Sequence, residues 1–431
     1  MVTMADVRDY AIATTSKALV YNLDRYLPDD HYREYFRWAL SGENPRRDLF
    51  RRNIGVTQLG NLTAAMLWDV PGPGDWLTLV EHAVPVNVYQ VFEVVSDNLG
   101  LGLAGKSHGE TADQRKLLLD FNTAAASDLR YPSSVPATEL LDHLKDPSEN
   151  FSGFALSLTQ RHQGLTVKEY ENCKGIAAYD SLQRNIWSGL IANVESGRDV
   201  LAAIGETYSE PHVRAKTIER YKAVNDTLNS AFMSRDEVIS NSRNAILVTP
   251  TLGYFAAVFA ELLTSDPGYW RALDDGSAIA TFDTASLLVR LQNDIGTGLL
   301  RMRDADRSDL FARLAKELPS SGGIIELLSR AAFHPLLNRF RKDIANGEFN
   351  ICLHQLYEVN DLGEGLLILL DNLKFFSDMY RAQSASLERR LIWLKQRIHD
   401  RRIIELTRRF VRFHEKLYSH AYDTIDGDYA I

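Results

Sequence analysis

The feature that most constrains this chain is the three-and-four spacing of its apolar residues. In the segment FDTASLLVRLQNDIGTGLLRMRD they fall at Phe282, Ala285, Leu288, Leu291, Ile295 and Leu299, the stripe that an α-helix turns toward a core. LLILLDNLKFFSDMYRAQSASLERRLIWLKQRI reads as one or two long helices, and RIIELTRRFVRFHEKLYSHAY as another. Alternating strand patterns of any length are missing. Proline, 13 in 431 residues, gathers in connections: VPGPGD (70–75), RYPSSVP (130–136), SDPG (265–268) and PSSGG (319–323). The expectation is an all-α fold. No fixed-period repeat is present, which argues against a solenoid. The expected division is an N-terminal helical portion, 1–70, packed on a larger helical domain, 71–431. Softer interruptions fall near 130–150 and 205–215.

Charge and cysteine usage narrow the function classes. Lys and Arg number 48 against 57 Asp and Glu, a net charge of −9. A general nucleic-acid binder needs a basic face to neutralise phosphates, so nucleic acid is not an expected partner. Cys173 and Cys352 lie far apart, which leaves no zinc spacing and no disulfide framework. That usage suits a reducing cytoplasm, the expected location, and the first residues show no secretory pattern. No stretch approaches ~18 uncharged apolar residues, so no membrane span is expected. The basic amphipathic run ERRLIWLKQRIHDRRIIELTRRFVRF reads either as a solvated helix face with i, i+4 pairs or as a contact for an acidic membrane or partner.

The second half carries a constellation of oxygen donors. At about 100° per residue, Asn293, Thr297 and Arg301 in NDIGTGLLR fall on one helix face. Asn and Thr offer neutral oxygens, and Asp294 adds a carboxylate beside them. Such a set suits Mg²⁺, which takes few protein ligands and completes its shell with water and phosphate. Upstream, Arg243 stands in ISNSRNAILVTPTLGY, at the beginning of an apolar helix. Downstream, GEFNICL puts Asn350 after a glycine, at an expected helix start.

These residues resemble class I terpene synthases, all-α enzymes that ionise isoprenyl diphosphates with bound Mg²⁺. The family's second metal motif, N-D-x-x-S/T-x-x-x-E, is matched by Asn293, Asp294 and Thr297, with Arg301 in the place of the carboxylate. The Asp-rich first motif is reduced to Asp97. Residues 235–431 carry most of the resemblance. It implies a terpene-synthase-like helical bundle around a central cavity, and Mg²⁺-dependent ionisation and cyclisation of an isoprenyl diphosphate. Asp97, Asn293, Asp294 and Thr297 would be metal ligands. Arg243 and Arg301 would be the catalytic, diphosphate-binding cations, and Tyr254 and Phe255 would line the substrate cavity. A homodimer stays open. The two reduced motifs also fit a non-catalytic helical scaffold that kept the fold and lost the chemistry.

The first half holds one unusual segment, SDNLGLGLAGKSHGE (96–110). Its glycines end a helix near Val95 and form a tight loop, through which backbone N–H groups would meet a phosphate. The plainer reading is a helix-terminating glycine loop with a capping Asp. NLGLGLAGKSH is also similar to a segment of heme-oxygenase-like non-heme diiron oxidases, with His108 ten positions after Asn98. That resemblance implies iron as an alternative metal, with His108 as a ligand.

Overall fold

The computed structural model describes residues 2–28, 31–70, 76–106, 109–151, 160–177, 186–230, 233–318, 322–331 and 334–419. Their regular secondary structure is helical, and these residues contain no β-strand. The all-α expectation is met. The chain forms two compact units. The first compact unit comprises 1–100, 112–228 and 253–265; the second comprises 101–111, 229–252 and 266–431. Residues 1–70 share their unit with the following helices because Met4–Tyr26 packs on Trp76–Asp97 as well as on Val56–Leu67.

In the first unit, Met4–Tyr26 begins with a capping box, in which Thr3 and Asp6 satisfy each other's backbone N–H groups. Two glycines let helices approach closely here. A Cβ on Gly60 would sit 2.5 Å from Ile12, and one on Gly189 would sit 2.5 Å from Val95. Gly189 lies on Ile186–Ala202, which packs along Trp76–Asp97. An aromatic cluster fills one end of this core. Tyr35, Phe36 and Phe50 meet edge to face, and Phe92 lies against Phe36.

The second unit is built around Ser277–Ile295. This helix touches Arg235–Asn244, Pro267–Asp274, Asn338–Asn346, Leu362–Arg397 and Arg402–Leu417. Its inner face, Phe282, Ala285, Leu288 and Leu291, is buried, as the spacing predicts. The long apolar stretch downstream forms a single 36-residue helix, capped by the Asp361 carboxylate on the Glu364 N–H. In SDPG, Asp266 caps the next helix and Pro267 opens it.

One helix expected to run on is cut. Ser277–Ile295 stops at Gly296, whose φ of 86° and ψ of 140° suit only glycine. Thr297–Arg301 is a separate short helix beyond it. Asn293, Thr297 and Arg301 therefore do not share one continuous helix face. Likewise, Asn350 opens a run of turns at 351–358, not a helix.

Candidate functional site

The end of Ser277–Ile295 assembles a buried polar centre. Asp294 is 1% exposed. Its Oδ2 accepts the Ile351 N–H at 3.0 Å and faces Arg290 Nη2 at 3.0 Å. Its Oδ1 accepts the Asn293 amide at 3.2 Å. Burial raises the Asp294 carboxyl to about 6 against the pull of Arg290, and nearby Asp343 pushes the same way.

Asn350 ties this helix end to its neighbours. It is fully buried, and its Nδ2 donates to the Asp294 carbonyl at 2.7 Å and to Asp343 Oδ2 at 2.6 Å. Its Oδ1 accepts the Cys352 N–H at 2.9 Å. Lys342 meets Asp343 Oδ1 at 2.9 Å and also pairs with Glu348. Arg339 donates to both the backbone carbonyl and the side-chain oxygen of Asn293, and lies 4.7 Å from the centroid of the Tyr418 ring.

The other expected site residues are engaged too. The Thr297 hydroxyl donates to the Glu415 carbonyl at 2.9 Å. Arg301 is well exposed and pairs with the Glu415 carboxylate, which also accepts from the Tyr380 hydroxyl at 3.0 Å. Arg243 is the exception. It is half-buried, its Nε donates to Asn244 Oδ1 at 3.2 Å, and it has no ion pair among the described residues. Its carbonyl accepts the Ser286 hydroxyl at 2.7 Å, fixing its helix to Ser277–Ile295.

As arranged, these donors do not fit Mg²⁺. A metal would have to displace Arg290 from Asp294 and Arg339 from Asn293. Among the described residues, no group of three or more His, Cys, Asp or Glu side chains is placed to hold a metal ion. Asp97, the expected remnant of a first metal motif, belongs to the first unit and pairs with Arg220. Tyr254 and Phe255 are core residues of that unit. The Tyr254 hydroxyl donates to the His82 carbonyl at 2.7 Å, and the two rings meet edge to face.

The glycine loop has a structural explanation. Its N–H groups at Gly102 and Ala104 donate to the carbonyls of Asn346 and Gly347, at 2.8 and 3.0 Å. They are therefore not free for a phosphate. The contact is backbone against backbone: a Cβ on Gly347 would lie 2.6 Å from Gly102. Gly102, Gly105 and Gly347 all adopt positive φ. His108 lies outside the described residues.

A second buried charge cluster was not anticipated from the sequence. In the first unit, Arg220 is 2% exposed and pairs with both Glu93 and Asp97. Beside it, the Tyr221 hydroxyl donates to Asn193 Oδ1 at 2.9 Å and lies 3.0 Å from the Tyr89 hydroxyl. Burial pushes the Glu93 carboxyl up to about 8, and only Arg220 opposes it strongly. The available signal was a lone carboxylate inside the apolar run VYQVFEVV.

Compared with known proteins, the chain matches no family model, no curated protein and no solved structure.

Proposed function

We propose that this chain is a terpene-synthase-like helical scaffold in which the expected metal centre serves as a structural lock. One observation carries this reading. In the second unit, the Asn293 and Asp294 side-chain oxygens that would bind Mg²⁺ already accept from protein donors within one buried network. A metal would exchange those contacts for its own, and the freed arginines would need new partners in a buried setting. The lock joins the end of Ser277–Ile295 to Asn338–Asn346 and to the Glu348–Cys352 stretch.

A second reading keeps the enzyme: ionisation and cyclisation of an isoprenyl diphosphate in the cytoplasm. Arg243 favours it, as a half-buried guanidinium without an ion pair is a ready donor for a diphosphate. The iron-oxidase reading rests on His108 and has no further support.

Pyrophosphate release from geranyl, farnesyl and geranylgeranyl diphosphates separates the two main readings, with Mg²⁺ and with EDTA. The scaffold reading expects none from any of them. Metal-dependent release that Arg243→Ala abolishes would establish the enzyme instead.

A further inference from the structure

The basic run near the C-terminus plays no part in the lock, and the structure shows what it displays. Between Arg389 and Lys416 the chain has ten Lys or Arg and three Asp or Glu, within a molecule of net charge −9. At the C-terminal end of Leu362–Arg397, Ile392 is 53% exposed and Trp393 is 41% exposed. Arg389 lies three and four positions before them, on the same helix face. Lys395 stands at the edge of that face, and Arg401 follows the turn that ends the helix. All three cations are exposed and have no ion pair among the described residues.

Three neighbouring cations are neutralised locally. Arg408 pairs with Glu388 and Glu405, Arg402 with Asp400, and Arg397 with Asp275. Arg397 also lies 4.1 Å from the centroid of the Trp393 ring. Exposed cations without an ion pair thus stand beside the two exposed apolar side chains.

We propose that this face docks on an anionic lipid bilayer, with Ile392 and Trp393 entering the interface and Arg389, Lys395 and Arg401 meeting lipid phosphates. Charge complementarity selects an anionic partner. The paired aliphatic and indole side chains select a bilayer over a nucleic acid. Trp favours the boundary between headgroups and acyl chains, and an exposed Ile gains little from stacked bases. No single helix among the described residues is long and apolar enough to cross a membrane, and the proposed attachment is through this face.

The test is sedimentation of the full chain with vesicles of phosphatidylcholine alone or mixed with phosphatidylserine, at low and high salt. Binding is expected only with phosphatidylserine and is expected to weaken with salt. Arg389→Ala/Lys395→Ala/Arg401→Ala should lower partitioning on the order of 100-fold, at about a factor of five per cation. Ile392→Ser/Trp393→Ser should lower it with the cations intact. Unfolding midpoints of both variants should match the parent, because these side chains are exposed. Equal binding to neutral vesicles would overturn the proposal, as would anionic binding that the Ile392/Trp393 variant leaves unchanged. Binding to a fluorescent oligonucleotide with none to vesicles would overturn it in favour of nucleic acid.

Discussion

Replacing Asn350 by alanine tests the structural lock where it is most concentrated. The side chain is fully buried and makes three hydrogen bonds, at 2.6, 2.7 and 2.9 Å. Truncation leaves the Asp294 carbonyl, Asp343 Oδ2 and the Cys352 N–H without their partner. A buried polar group left unsatisfied costs about 1–3 kcal/mol, and more beside a charge. Lys342 still faces Asp343, which moderates that part of the loss. The expected destabilisation is about 3–5 kcal/mol, read as a lower urea midpoint with an unchanged m-value. Thr297→Val, which removes one hydrogen bond to the Glu415 carbonyl, should lose only about 1 kcal/mol. An Asn350→Ala loss below about 1 kcal/mol would refute the argument, because water would then be reaching a site that the structure describes as sealed.

Two further outcomes follow from the buried charges. Arg220→Met should cost about 1–3 kcal/mol in urea unfolding by leaving the buried Glu93 carboxyl, protonated once its cation is gone, without its partner, and adding Glu93→Leu should recover part of it. Asp294 titrates near 6 in the folded chain, above its ordinary 3.8, so the native state binds the extra proton between those values. The stability this contributes is fully present below about pH 4 and lost as pH rises through 6. Subtracting the pH profile of Asp294→Asn from that of the parent should reveal that slope, and a flat difference would refute it.

The helices were legible because their information is local. Apolar spacing located the core of Ser277–Ile295 and the two C-terminal helices, and Asp266-Pro267 marked a helix start. The break at Gly296 is also written in the sequence, but the polar periodicity of NDIGT runs across it. The partners of the candidate site were not legible. Arg339 reaches Asn293 across 46 positions, and Asn350 reaches Asp294 across 56. An Asn-Asp pair bound to Mg²⁺ and one bound to arginines look alike until the packing of neighbouring helices decides which donors arrive. The glycine loop shows the same limit: Gly102 meets the 346–347 turn and Gly105 the Tyr357 ring, both far along the chain.

The most direct test of the lock is thermal unfolding of the full chain in millimolar Mg²⁺ and inorganic pyrophosphate, compared with EDTA. A ligand that binds only the native state raises stability with its concentration, by about 2.7 kcal/mol at a hundredfold excess over its Kd. A lock whose oxygens already have protein partners predicts the same midpoint in both buffers. A midpoint that climbs with Mg²⁺ and pyrophosphate, and falls back in EDTA, would show that Asn293 and Asp294 yield to a metal and that the account is wrong.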